Sequence, residues 1–298
     1  MSIENQSEKR NIKKEARLGI DAVYESAVEE HEAFKRFPPE EIKQLIDEVL
    51  REIDLLEEIA ERDYREFHLS DDVAKKIEAI WVLSGPGTYD DPVKEDRYKN
   101  FPWARGMDRA RLNYAARIAR RVTEARSGDV FDQGGLSSLQ KRKELTKRSI
   151  LESGPYIIYN GRPDENEVVH DVLTREGIII PQEKVMVIGE GIDKSVDQVK
   201  SVRLPENFDI EHDELAIISH APQLARIVRM INRYRPFPEG TKIRLLPIST
   251  PEGGKTEYAL METRGILYYA FLSLDRDATK ESYPYLVNQP GAEQKKEH

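Results

Sequence analysis

Five short apolar runs constrain this chain more than any other feature, because each breaks off in a turn of small or polar residues and each is followed by a helical pattern. Residues 80–83 run into Ser84-Gly85-Pro86-Gly87-Thr88, and residues 156–159 into Asn160-Gly161-Arg162. Residues 184–188 run into Gly189-Glu190-Gly191, residues 215–218 into Ser219-His220, and residues 242–246 into Pro247-Ile248-Ser249-Thr250. Helical spacing follows over 108–125, 164–176, 193–202, 222–234 and 256–272. In the fourth of these, Leu224, Ile227, Val228 and Ile231 form one stripe, and Pro222 suits a first helical turn. Runs that are apolar at every position belong to strands covered on both faces, and strands alternating with amphipathic helices build a parallel sheet. The expectation is an α/β protein: a Rossmann-like three-layer α/β/α domain with a mostly parallel sheet over 76–275.

An α-helical N-terminal extension is expected to precede it over 1–75. Apolar residues from Ile42 to Ala60 keep the 3/4 spacing of an amphipathic helix that starts at Pro38-Pro39, and a less regular helix over 12–34 makes the pair. Residues 127–153 read as a polar insertion, and 276–298 as a loosely held tail.

Charge is divided along the chain. Of 46 Lys+Arg and 55 Asp+Glu, residues 1–75 hold 12 basic and 21 acidic side chains, which is the whole net charge of −9. Residues 97–148 hold 14 basic and 5 acidic ones. An acidic front and a basic insert are expected to attract each other, within the chain or between copies; plain solvation of the acidic face is the alternative. Nucleic acid is not the expected partner, since Phe131 is the only aromatic residue between Arg117 and Arg148.

The absence of cysteine excludes thiol nucleophiles, iron–sulfur clusters and disulfides. The long uncharged stretches, such as 265–274, are about half of what a bilayer-spanning helix needs. The N-terminus carries no apolar signal region, so a cytoplasmic location is expected.

Ligands of open parallel sheets bind outside the carboxyl ends of the strands. The turns there collect Ser84, Gly85, Gly87, Thr88, Asn160, Gly161, Arg162, Glu165, Glu167, Glu190, Ser195, Ser219, His220, Gln223 and Arg226. Gly85-Pro86-Gly87 and Gly189-Glu190-Gly191 both lack the third glycine of a dinucleotide fingerprint, and each reads equally as a tight turn. The backbone N–H groups of Gly85, Gly87 and Thr88 suit a phosphate or carboxylate. His220 reads as a proton-shuttling or hydrogen-bonding residue, or as a buried structural histidine. Arg226 could reach an anion or lie at the surface. Glu165 and Glu167 open a helix, where the dipole favours carboxylates anyway; Glu190 suits a hydroxyl or amine. No serine elbow, zinc-protease helix, Walker loop or calcium loop is present, and no spacing points to a metal.

Taken in order, these turns resemble the YdcF-like/SanA-like domain family, a bacterial group of unknown function, over about residues 77–272. The resemblance rests on Leu83-Ser84-Gly85-Pro86-Gly87, the Arg-bearing helix start Asp108-Arg109-Ala110-Arg111, Asn160-Gly161-Arg162 with Glu165 or Glu167, and Glu190 followed by Ser195-Val196-Asp197-Gln198. It ends on Ser219-His220-Ala221-Pro222-Gln223-Leu224-Ala225-Arg226, where Gln223 stands in place of the family's histidine. The resemblance implies a Rossmann-like fold and, from one described member, S-adenosylmethionine as ligand. Other members are tied to envelope maintenance and carry a membrane anchor, where this chain has its acidic helices. The leading expectation is a protein binding an anionic or nucleotide-like small molecule, with Gly85, Gly87, Thr88, Glu190, His220 and Arg226 as contacts. The rivals are a phosphoester or pyrophosphate hydrolase or transferase using His220 or Glu165, and an interaction protein using the basic insert.

Overall fold

The computed structural model describes residues 19–65, 69–84, 106–128, 139–161, 180–189, 194–273 and 279–288, together with Asn166, Val169, Leu173 and Ile192. The five apolar runs form one parallel sheet. Its strands are β1 (Ile77–Leu83), β2 (Tyr156–Asn160), β3 (Val185–Val187), β4 (Glu214–His220) and β5 (Lys242–Ile248), in the order β3-β2-β1-β4-β5. The helices are α1 (Ile20–Glu30), α2 (Pro39–Arg65), α3 (Asp71–Ala74), α4 (Met107–Ser127), α5 (Leu139–Ser153), α6 (Ser195–Ser201), α7 (Ala221–Tyr234) and α8 (Lys255–Leu267), the last continuing into a π-helical turn, Tyr268–Leu272.

Alternation along each strand sends neighbouring side chains to opposite faces. Ile80, Val82, Ile157, Tyr159, Ala216 and Ile218 meet Leu112, Ala115, Ile118, Ala119 and Val122 of α4. Ala79, Trp81, Leu83, Ile158, Leu215 and Ile217 meet Val199 of α6 and the α7 stripe Leu224, Ile227, Val228 and Ile231. Both sets are buried, which is why the runs of β1, β2 and β4 carry no charged residue. Gly128, in the left-handed conformation at φ 77°, closes α4 with its N–H on the Glu124 carbonyl.

The N-terminal helices belong to this packing. Leu56 of α2, fully buried, joins the core of the α6/α7 face. Farther toward its N-terminus, α2 puts Ile42, Ile46, Val49 and Ile53 against Val23 and Ala27 of α1, Ala225 of α7, and Ile266 and Leu267 of α8. Several acidic side chains of this front pair with these neighbours or with the C-terminal stretch. Glu52 pairs with Arg229 of α7, Glu61 with Lys255 (2.6 Å), Glu30 with Arg264 (2.7 Å) and Glu41 with Lys280 (2.6 Å). Asp71 pairs with Arg121 in the basic insert.

Two expectations change. The stretch read as a polar insertion contains α5, whose inner face buries Thr146, Ser149 and Ile150; two hydroxyl residues in core-facing places hide the apolar stripe. Part of the stretch read as a loose tail is held against β5. Leu286 bridges Arg244, with Leu245 N–H donating to Leu286 O (2.9 Å) and Leu286 N–H to Ile243 O (2.8 Å). Nearby, the Tyr285 hydroxyl donates to Glu52 (2.8 Å). Among the described residues no helix is long and apolar enough to cross a membrane.

Because Leu56 fills the sheet core from outside the βα units, Leu56→Ala is expected to cost about 2–5 kcal/mol of stability, read as a lower urea midpoint with an unchanged slope.

Candidate functional site

The strand order reverses at β1: β2 and β3 lie on one side, β4 and β5 on the other. Such a switch point opens a crevice at the carboxyl ends, here between β1 and β4. Register levels the ends, since Leu83 pairs with Asn160 and Val82 with Ile218. Ser84, Asn160, Gly161, Ser219 and His220 are thereby brought to one edge.

Most of these polar groups are occupied by one another. The Asn160 side chain accepts from Trp81 Nε1 (2.7 Å) and donates to Gln198 O (2.6 Å) and Ser201 Oγ (3.2 Å), which uses both amide protons. Gln198 of α6 donates from Nε2 to Ser84 Oγ and to Asn160 O (2.9 Å). Gln223 of α7 donates from Nε2 to Ser84 O (3.1 Å), while its Oε1 accepts from Ser219 Oγ (2.6 Å) and the Tyr258 hydroxyl (3.4 Å). Gly161 is held through both backbone groups by the Asn166 amide, at 2.9 and 3.0 Å. Gly189 passes so close that a Cβ there would fall 2.1 Å from Asn166 Nδ2, so the requirement for glycine at this turn is one of space. Ser84, Asn160, Ser219 and Gln223 therefore tie β1, β2 and β4 to α6, α7 and α8.

What the network leaves open lies at Arg111 and His220. Arg111, on the inner face of α4, is fully buried. Its Nη1 donates to Asp108 Oδ1 (2.6 Å) and Leu83 O (3.0 Å), and its Nε donates to His220 Nδ1 (3.1 Å). Nη2 is buried and has no hydrogen-bond partner among the described residues. Accepting at Nδ1 fixes the neutral imidazole as the Nε2–H tautomer. Burial, and secondarily the charge of Arg111, pushes the His220 pKa well below 6.5, so the ring stays neutral. In this setting His220 is a fixed hydrogen-bond donor, and a weak base.

A second ion pair lies beside it on α7 and α8. Arg226 donates from Nη2 to Ser195 Oγ (2.8 Å). Its Nε stands 2.7 Å from Glu262 Oε2, off the hydrogen-bond axis, so the contact is ionic without an aligned bond. Burial raises the Glu262 pKa above 4.5, with Arg226 and then Arg111 opposing the shift. Burial also raises the Tyr258 pKa, keeping its hydroxyl protonated.

Of the residues expected at the site, Ser84, Asn160, Gly161, Ser219, His220 and Gln223 gather at the strand ends, and Ser195 meets Arg226. Gly85, Gly87, Thr88, Arg162, Glu165, Glu167 and Glu190 lie outside the described residues. Asp108 and Arg111 entered the sequence reading only through the resemblance, and Tyr258 and Glu262 did not enter it at all. A signal existed: Arg111 falls in the stripe of Ala115, Ile118 and Val122, and Glu262 in that of Tyr258 and Ile266, so each puts a charge on an apolar face. Among the described residues no group of three or more His, Asp and Glu could hold a metal ion.

Comparison of the chain with protein-family models, with curated proteins and with solved structures finds no significant match.

Two outcomes follow from the buried charges. Asp108→Ala leaves Arg111 without its counter-charge and is expected to cost about 3–5 kcal/mol in urea unfolding, with Asp108→Asn costing less. His220 is neutral when folded but takes a proton near 6.5 when unfolded, so its contribution is present above pH 6.5 and is lost as pH falls toward its lowered folded value. Melting temperatures of His220→Gln are expected to fall less steeply than wild type below that pH.

Proposed function

We propose that this protein binds an anionic or nucleotide-like small molecule at the β1/β4 crevice, with Arg111 and His220 as the contacts that hold its anionic end. The observation that carries this reading is Arg111 Nη2: a guanidinium nitrogen withdrawn from water with no partner among the described residues, at the sheet edge where ligands of this fold class bind. Leaving such a donor unpaired costs stability, and a ligand oxygen would recover it. The order of the strand turns supports treating the chain as YdcF-like, and on that ground S-adenosylmethionine is the adenosine-containing ligand to try first.

A hydrolytic reading needs a group that cycles its proton. His220 is poorly suited, since Arg111 occupies Nδ1, and burial first and the Arg111 charge second disfavour the imidazolium. As far as His220 is concerned, binding without turnover is the reading favoured.

Calorimetric titration with S-adenosylmethionine, its demethylated product and adenosine nucleotides tests this. One of them is expected to bind with unit stoichiometry. Arg111→Lys, which keeps the charge but loses the planar fork, should weaken that binding about tenfold or more. Equal affinity in the variant, or no binding by any of these ligands, would count against the proposal, and turnover of a phosphoester lost in His220→Gln would replace it.

A further inference from the structure

We infer that the turn leaving β5, Ser249-Thr250 together with Lys255 at the start of α8, is a seat for a phosphoryl group, and that the Glu57 carboxylate of α2 occupies it as an internal competitor. The seat lies at the same sheet edge as the β1/β4 crevice, one strand over, since His220 pairs with Ile248 at the end of β5. None of its donors belongs to that crevice.

An anion already sits on these donors. Ser249 Oγ donates to Glu57 Oε2 (3.0 Å), the Thr250 hydroxyl donates to Oε1, and the Thr250 N–H is shared between the two oxygens at 3.1 and 3.2 Å. The Lys255 ammonium stands 3.9 Å from Glu57 Oε2 and 2.6 Å from Glu61, one turn farther along α2. Thr250 is 2% exposed, so both of its donors are fixed by their surroundings. Hydroxyls, a backbone amide and an ammonium converging on one pair of oxygens form the donor pattern with which proteins bind oxyanions. Holding α2 in place does not require so many, because Ile53 and Leu56 already fix the helix by apolar contact.

Among oxyanions, the sequence of the turn points to phosphate. Residues 249–256 lie between a parallel strand and a helix, and they end in Gly254-Lys255-Thr256. They keep the spacing of a phosphate-binding loop, with Ser249 where the strict pattern has its first glycine. In such loops the lysine reaches the phosphate. Here Glu57 and Glu61 receive it instead, so two carboxylates of α2 stand in for phosphate oxygens.

Opening the seat does not require α2 to leave. Leu56 and Ala60, on either side of Glu57, are buried and hold the helix, whereas the Glu57 side chain is 14% exposed and a rotamer change withdraws it. A seat with an internal occupant binds an external ligand more weakly in proportion to the time it is filled, and removing the occupant restores the difference.

The test uses the full chain and inorganic phosphate, with acetate at matched ionic strength as the second probe. The Thr250 amide and the Lys255 ammonium are followed by nuclear magnetic resonance in wild type, Glu57→Ala and Glu57→Gln. Phosphate is expected to shift both signals saturably in Glu57→Ala, with an affinity about tenfold or more above wild type, and to bind more tightly there than acetate. Adding Lys255→Met to Glu57→Ala should weaken phosphate about fivefold or more. No saturable shift in Glu57→Ala refutes the seat. Equal phosphate affinity in wild type and Glu57→Ala refutes Glu57 as competitor, and acetate binding as tightly as phosphate refutes the choice of a phosphoryl group. Should Glu57→Ala not fold, Glu57→Gln, which keeps the volume of the side chain and removes its charge, decides by the same readings.

Discussion

A guanidinium that has lost its contact with water has to be answered by its neighbours, and the carboxyl edge of this sheet is arranged around that demand. Arg111 draws on three elements: its own helix through Asp108, the end of β1 through the Leu83 carbonyl, and the end of β4 through His220. The contacts reach both sides of the place where the strand order reverses. They also set the imidazole's tautomer, while burial first and the charge of Arg111 second hold its pKa down, so the ring stands at the crevice as a neutral donor. Gln198 and Gln223 do the complementary work with neutral groups, fixing Ser84 from the α6 and α7 sides.

The sheet was legible because burial on both faces leaves an unbroken apolar run, a pattern that few alternatives mimic. The strand ends were less so. β4 begins at Glu214, one residue before its apolar run, and Arg244 interrupts the run of β5; their side chains pair at 2.6 Å across adjacent strands, which lets both be buried. β1 and β4 likewise extend beyond the runs that announced them. The site was legible as a place more than as a set of residues. Reading the turns collected Ser84, Asn160, Ser219 and Gln223, whose hydrogen-bonding capacity goes into holding strands to helices. Deciding which polar groups are already satisfied takes the three-dimensional partners, since nothing in the local sequence distinguishes an asparagine that binds a ligand from one that binds a tryptophan indole.

The acidic front teaches a related lesson. A block of negative charge at one end of a chain reads as an appendage, yet α2 is amphipathic over 27 residues and buries its apolar side in two places, against α1 and α8 and against the sheet. Of its carboxylates, Glu52 goes to Arg229 of α7, Glu57 and Glu61 to Lys255 of α8, and Glu41 to Lys280 of the C-terminal stretch. Where the pairs are half-exposed, as Glu61 with Lys255, they add little stability. Glu52 is different, since it gathers Arg229, Ser282 and Tyr285 in a mostly buried setting and joins three distant parts of the chain.

One of those parts is the stretch that runs beside β5. An open parallel sheet ends in two unpaired strands, and the backbone groups of such a strand will pair with whatever extended chain they meet. At the β3 end this sheet limits the invitation by brevity, with three residues in the strand. At the β5 end, seven residues long, residues near Leu286 occupy the amide of Leu245 and the carbonyl of Ile243. The chain thus supplies a partner for part of its own edge strand, which leaves fewer free backbone groups there for another extended chain to meet.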